Sequence, residues 1–417
     1  MIPVGTSGPG PHGVTSAVGA SNGEAPAYGC PNCGVASRPG DNFCEACGYD
    51  LRRAAPPRPV AERAPRRGQF ASAVCRTCRT ATISADGWCE VCGRAYNPRD
   101  SMAFDIGIAA GMSDRGLRHR RNEDAMAIDI VDTPHTGPIV VAVVCDGVSS
   151  SPRPDDASAT AASTASGALV AALRGGAGPE AATRAAAAAA ASAVARLAGP
   201  GEAEGNAPAC TYVSAVVTPE TVTIGWVGDS RAYWLSVDGT AAGDPHEPPA
   251  AAYPVPEAAR ESVRIALPEP AWPAEPPEES ESTIRVPTPA SQLTEDDSWA
   301  ARMVACGQMT EAQAFADSRA HAIVSWLGAD AGEVRARVTT LRPNTPGAVL
   351  LCSDGLWNYV QPAQALSAFA LPHGLAQPMR AAQELTDYAL QCGGADNITV
   401  ALVPFPPAAH VGSEPKE

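Results

Sequence analysis

Residues 139–151 read IVVAVVCDGVSSS. Six apolar residues and a cysteine run without a polar break into Asp146 and Gly147, and Val148 and three serines follow. A β-branched apolar run of this length, stopped by Asp-Gly, predicts an inner strand emptying into a tight turn. A lone carboxylate at the end of a buried strand costs free energy unless a cation or hydrogen-bond donors meet it. What surrounds Asp146 therefore decides both fold and chemistry.

Three other stretches share this grammar. GAVLLCSDGLW (347–357) places Asp354 and Gly355 after an apolar run, GGADNITVALV (393–403) places Asp396 before a β-branched strand, and RNEDAMAIDIV (121–131) places Glu123 and Asp124 before another. Taken singly, an Asp-Gly after a strand is an ordinary turn. Taken together, four acidic positions at strand ends can converge on one rim of a sheet. A cluster of oxygens without histidine suits the hard cations Mg²⁺ or Mn²⁺ better than zinc.

Working outward, TYVSAVV (211–217), TVTIGWVG (221–228) and RAYWLSV (231–237) predict three strands in an antiparallel meander. Between about 154 and 198, two Ala-rich stretches separated by Gly-Gly and Gly-Pro predict a pair of helices. Residues 104–404 therefore read as one catalytic-sized domain of mixed α and β elements. Residues 238–291 are Pro-rich and acidic with almost no apolar period, which predicts a disordered surface insertion. Residues 1–27 and 405–417 read as tails.

The chain has 417 residues and a formal net charge of −15, with 45 acidic residues against 30 basic ones. That balance argues against general nucleic-acid or anionic-membrane binding. No apolar run is long enough to span a bilayer, and MIPVGTSGPGPHG has neither a charged n-region nor an apolar h-region. A soluble cytoplasmic protein is the expectation.

Of 13 cysteines, eight repeat one frame, C-x2-C-x10-C-x2-C: Cys30, Cys33, Cys44 and Cys47, then Cys75, Cys78, Cys89 and Cys92. Each set brings four thiolates toward a tetrahedron that suits Zn²⁺, and a site closed by four cysteines is structural. Residues 28–96 thus predict two zinc ribbons joined by the basic, Pro-rich linker RRAAPPRPVAERAPRRG, resembling the double zinc ribbon of regulatory proteins. The ribbons read equally as a spacer or docking surface and as a binding module. The remaining cysteines sit mostly in apolar runs, which fits a reducing compartment.

In order and together, SDRGLRHRRNEDA (113–125), CDGVSSS (145–151), VGDSRAYW (227–234), QLTEDDSW (292–299), CSDGLW (352–357) and GGADNITV (393–400) resemble the metal-dependent protein phosphatase family of type 2C. The resemblance implies an α+β fold, an α-β-β-α sandwich of two antiparallel sheets flanked by helices. It implies a serine/threonine phosphatase acting on phosphoproteins by direct attack of a hydroxide held between two Mn²⁺ or Mg²⁺ ions. Asp146 would bridge the ions, the Gly147 carbonyl would add a ligand, and Asp354 and Asp396 would complete the second ion. Glu123 and Asp124 would act through waters, and Asp229 with Asp354 would hold a third ion. An opposing Ser/Thr kinase in a GC-rich bacterium is the implied partner.

The chain departs from the family at two places. His119 stands where relatives carry a phosphate-gripping Arg, and Arg118, Arg120 and Arg121, crowding the spot, are the candidate phosphate ligands in its place; His119 itself reads as a phosphate ligand, a general acid or a surface histidine. Asp-Gly-Val-Ser-Ser replaces Asp-Gly-Met-Gly-Gly, so Ser149–Ser151 are free to cap the next helix or to bind phosphate. AARMVACGQMTEAQA (300–314) resembles the flap of bacterial members, with Met303, Val304 and Met309 as packing residues. Two rival readings stay open: a phosphoprotein-binding scaffold without turnover, and a zinc-ribbon binding protein with the phosphatase domain as output.

Overall fold

The computed structural model describes residues 100–132, 137–199, 202, 206–236, 284–285, 290–332 and 334–407, together with 28–29, 36–37, 84, 88–91 and 93. Tyr28–Gly29 (β1) and Ala36–Ser37 (β2) pair antiparallel on either side of Cys30 and Cys33. Of the eight ribbon cysteines only Cys89 falls among the described residues, buried beside an exposed Trp88. The other seven, and the linker, lie outside them.

Two six-stranded sheets form the body. The first contains Ser101–Asp105 (β3), Ala110–Asp114 (β4), Arg231–Ser236 (β10), Ser291–Gln292 (β12), Gly347–Cys352 (β15) and Ile398–Phe405 (β16), in the order β12-β10-β15-β16-β4-β3. The second contains Ala125–Val131 (β5), Ile139–Cys145 (β6), Tyr212–Val217 (β8), Val222–Val227 (β9), Ile284–Arg285 (β11) and Arg337–Leu341 (β14), in the order β11-β14-β9-β8-β6-β5. Ala209–Cys210 (β7) and Leu327–Gly328 (β13) make a small separate pair. Every pairing is antiparallel except β11 with β14.

The helices close the outer faces. Pro154–Arg174 (α1) and Pro179–Ala195 (α2) pack on the second sheet, and Ala363–Gly374 (α6) and Pro378–Gln391 (α7) on the first. Trp299–Ala305 (α3) and Glu311–Phe315 (α4) are two short helices in the segment that resembles a flap, and Asp354–Trp357 (α5) is a single turn after β15. The result is the expected α-β-β-α sandwich.

Burial on both faces explains why the decisive strand shows no alternation. In β6, Val140, Ala142 and Val144 join the core between the sheets, while Val141, Val143 and Cys145 meet the helices. In β15 the parity is Val349 and Leu351 inward against Ala348, Leu350 and Cys352 outward. The run is apolar throughout because each face has its own core.

Three expectations change. The meander ends after two strands: β8 pairs with β9, but β10 turns away at Gly228 and Asp229 and pairs with β15 and β12 of the other sheet. The stretch 238–291 is not wholly outside the fold, since β11 adds to the edge at Thr340 and Leu341 and β12 begins at Ser291. The sandwich also extends beyond 104–404, because β3 starts at Ser101 and Phe405 packs edge-on against Trp234 in the central core at 5.7 Å.

Leu351 is fully buried between the sheets. Its replacement by Ala should cost about 2–5 kcal/mol of stability, read from the denaturant midpoint. A loss under about 0.5 kcal/mol, the size of an ordinary surface change, would contradict the two-sided core.

Candidate active site

The strand register carries the acidic residues to one place. Ala125 lies opposite Cys145, so the next position along the ladder sets Asp124 opposite Asp146 at the mouth of the inter-sheet core. Both continue the inward parity of their strands. The carboxyls of Asp124 and Asp354 stand within hydrogen-bonding reach of Asp146. Asp396 and Asp229 complete an acidic ring, and all five are buried or nearly so.

Backbone contacts lock the ring. Gly147 N–H donates to the Glu123 carbonyl at 3.1 Å, and a Cβ at Gly147 would stand 2.6 Å from that oxygen and from the Pro154 carbonyl. Gly116 has φ +72°, and a Cβ there would meet the Asp396 carbonyl at 2.1 Å. Only glycine lets these loops close on one another. Thr211 anchors the decisive turn from both sides: its hydroxyl accepts from Asp146 N–H at 3.0 Å, and its N–H donates to the Asp146 carbonyl at 2.8 Å.

Electrostatically the ring is costly. Burial, then the charges of Asp124, Asp354 and other neighbours, pushes Asp146 well above the ordinary carboxylate range. Burial and like charge push Asp354 and Asp229 the same way. Asp396 rises to about 8 through burial and the Asp124 charge. Asp124 rises only to about 6, because the Ser353 hydroxyl donates to it at 2.7 Å and offsets part of the burial.

The donor set fits hard divalent cations. Asp124 Oδ1 and Asp354 Oδ1 are buried with no hydrogen-bond partner among the described residues. Among the described residues no group of three or more His, Cys, Asp or Glu side chains is already gathered closely enough to hold a metal ion, so ions would meet these carboxylates partly through water. An open ring of this kind matches Mg²⁺-like ions, which keep several waters and bind through few carboxylates.

The basic turn divides its duties. His119 Nε2 lies 3.1 Å from Asp396 Oδ1 and so faces the ring. Arg121 is held by Glu123, Nε to Oε1 at 2.9 Å, and by Asp155 at 3.2 Å. Arg118 and Arg120 are exposed. Ser149 donates to Glu123 Oε2 at 2.7 Å, and Ser151 Oγ accepts from Ala209 N–H at 3.3 Å. The helix-capping expectation for this serine run fails, since the N-cap of α1 is Arg153, in the left-handed region and with no side-chain cap.

Several supporting residues escaped sequence reasoning. Asn397 accepts from Glu123 N–H at 2.7 Å and donates to the carbonyls of Arg115 and Arg121, so one amide ties three parts of the site. Arg231 and Asp296 form a buried two-pronged ion pair at 2.9 and 2.7 Å, and the guanidinium lies 3.8 Å over Trp357. Trp357 Nε1 donates to the Asp229 carbonyl at 3.0 Å, and His321, beyond the flap helices, stacks on the same indole. A signal existed: SRAYW buries an arginine that needs a carboxylate, and TEDDSW offers three.

A sandwich whose two sheets end in a shared ring of carboxylates defines a hydrolase of the metal-dependent phosphatase class. The sequence profile of protein phosphatase 2C matches residues 115–388, more than half of the chain. The chain belongs to that family, and by membership it is a protein serine/threonine phosphatase. Among solved structures it is similar to a bacterial serine phosphatase at 21% identity, over 74% of this chain and 99% of that one, with a TM-score of 0.51. Two others are the Staphylococcus aureus serine/threonine phosphatase Stp1 (21% identity, 73% and 93% covered, TM-score 0.48) and the Mycobacterium smegmatis phosphatase MsPP in complex with cacodylate (22%, 71% and 97%, TM-score 0.47). No curated protein matches the chain.

Raised carboxyl pKa values mean that the folded chain binds more protons than the unfolded chain above the ordinary carboxylate range. Their stabilising effect is complete below about pH 4, the unfolded value, and is lost as pH rises through the folded values of about 6 for Asp124 and about 8 for Asp396. Chelated protein should therefore melt at least about 5 °C lower at pH 8 than at pH 5. Added Mn²⁺ should recover most of that loss, as scanning fluorimetry would show; a chelated Tm that rises with pH would contradict the buried ring.

Proposed function

We propose that this chain hydrolyses phosphoserine and phosphothreonine esters in proteins, using two Mn²⁺ or Mg²⁺ ions held by the acidic ring. The observation that carries the reading is the meeting of Asp124, Asp146 and Asp354 at the sheet mouth with buried oxygens that lack donors. When bound, such cations would supply Lewis-acid activation of water at neutral pH, which suits direct hydrolysis without a phosphoenzyme.

The chain's own groups bind, orient and hold. Asp146, the Gly147 carbonyl, Asp354 and Asp396 would hold the ions, and Asp229 with Asp354 would offer a further position. Glu123 is occupied by Arg121 and Ser149, and Asp124 by Ser353, so both suit contact through water. We assign the phosphate contact to Arg121, whose guanidinium is fixed beside the ring by Glu123 and Asp155 with N–H groups to spare. We assign His119 to orienting Asp396, the contact that its Nε2 makes.

Outside the sandwich, we propose that Cys30, Cys33, Cys44 and Cys47, and Cys75, Cys78, Cys89 and Cys92, hold two structural Zn²⁺ ions in a docking module. Support comes from the repeated spacing and the β1–β2 pairing around the first knuckle. Buried free thiols at Cys145, Cys210 and Cys352 suit a reducing, cytoplasmic setting, where a Ser/Thr kinase is the expected opponent.

Hydrolysis of a phosphothreonine peptide should require Mn²⁺ or Mg²⁺ and stop with chelator. Asp146→Asn should lower kcat at least about a hundredfold while the protein stays folded, since it removes charge shared by both ions. Near-normal turnover in that variant would overturn the assignment. Arg121→Ala should raise KM for the peptide about tenfold, the loss of one charge-assisted contact; an unchanged KM would move the phosphate contact elsewhere.

A further inference from the structure

The turn between β4 and β5 is held rigid along its length. Gly116 N–H donates to Asp114 Oδ1 at 2.9 Å, Leu117 N–H to the Gly394 carbonyl at 2.8 Å, and Arg115 Nη1 to the His119 carbonyl at 2.7 Å. Asn397 takes the carbonyls at both ends, Arg115 and Arg121. On this fixed frame the side chains alternate: His119 turns inward to Asp396, while Arg118 and Arg120 turn to solvent beside Leu117, itself 47% exposed.

The neighbouring arginines are spoken for. Arg115 pairs with Asp100 at 3.3 Å, Arg121 with Glu123 and Asp155, and Arg153 with Glu202 at 2.7 Å. Arg118 and Arg120 make no ion pair or hydrogen bond among the described residues, in a chain with 45 acidic residues against 30 basic ones. These two exposed arginines stand one residue to either side of the histidine that touches Asp396.

We propose that Leu117, Arg118 and Arg120 form a substrate-reading edge, which selects phosphoprotein segments carrying acidic residues next to the phosphorylated side chain. The proposal rests on the phosphatase reading and adds the substrate class to it. The held backbone fixes where the two side chains leave the turn, so binding costs only their own rotamer freedom and no ordering of the loop. Because both guanidiniums are exposed, their contribution acts mainly on encounter and on KM, and it weakens with salt. The chain's own acidic stretch within 238–283 is the competing occupant.

The test compares two phosphothreonine peptides, one flanked by Asp and Glu and one by Ala and Gln, on the full chain with Mn²⁺. Wild-type protein should favour the acidic peptide about tenfold in kcat/KM at about 50 mM salt, and the preference should shrink at about 0.5 M. The Arg118→Glu, Arg120→Glu double variant should reverse the preference through KM, with its Tm close to wild type. No preference in wild type overturns the proposal, as does an equal loss on both peptides, which would make these arginines phosphate ligands. A preference that emerges only when residues 240–280 are deleted also overturns it and assigns the edge to the chain's own acidic stretch. Should neither peptide be turned over, the phosphatase reading has failed. Fluorescence anisotropy with phosphonate versions of the same peptides then decides the edge by the same ratio.

Discussion

Five carboxylates packed at one mouth repel one another, and each loses its hydration there. Asp146 is the most constrained, buried and facing the charges of Asp124, Asp354, Asp396 and Asp229 together. Such a group persists only if rigid structure holds it and a counter-charge arrives. The rigidity comes from the chain, through Thr211 on the Asp146 turn and Ser353 on Asp124. The counter-charge must come largely from outside, because the only basic side chain directly paired to a ring member in the described residues is His119 at Asp396.

The sandwich is a means of satisfying that constraint. A single sheet would leave one face of each acidic strand end open to water. Two sheets packed face to face give Asp124 and Asp146 an apolar floor of Val144 and Met126, and bring Asp354 and Asp396 in from the opposite sheet. The Ser353 hydroxyl reaches from the first sheet to Asp124 on the second, so the ring is also a tie between layers. Separation of the sheets and loss of the site are therefore one event.

Much of this was legible in the sequence, and the reason is periodicity. Apolar strands covered on both sides read as unbroken runs, and an Asp-Gly at the end of such a run shows against them, so Asp146 and Asp354 stood out. The helix pair at 154–198 was equally plain from its Ala-rich composition. The destination of β10 was not legible, because RAYWLSV is buried in either sheet and a turn at Gly228 and Asp229 serves a hairpin as well as a crossover. Nor was β11, two residues long in a stretch of turn-forming composition. Asn397 was hidden for another reason, since its partner is 274 residues away and no local pattern encodes such a pairing; the need of Arg231 for a carboxylate was visible, but nothing local picks Asp296 out of the three that TEDDSW offers.

The Arg231–Asp296 pair shows what these distant polar contacts contribute. A buried ion pair adds little net stability over apolar packing of the same volume, yet removing one partner is costly. Its value lies in where it fixes other groups. Arg231 sits on the face of Trp357, whose indole N–H grips the Asp229 carbonyl, and Asp297, next to Asp296, accepts from Gly228 N–H at 2.9 Å while pairing with Arg337. Both sides of the Gly228–Asp229 turn are thus held, one from α5 and one from the approach to the flap. An apolar pair at 231 and 296 would fill the space without setting the angle of the indole. Hydrogen bonds and charge are directional, and a carboxylate that must meet an ion needs direction more than it needs packing.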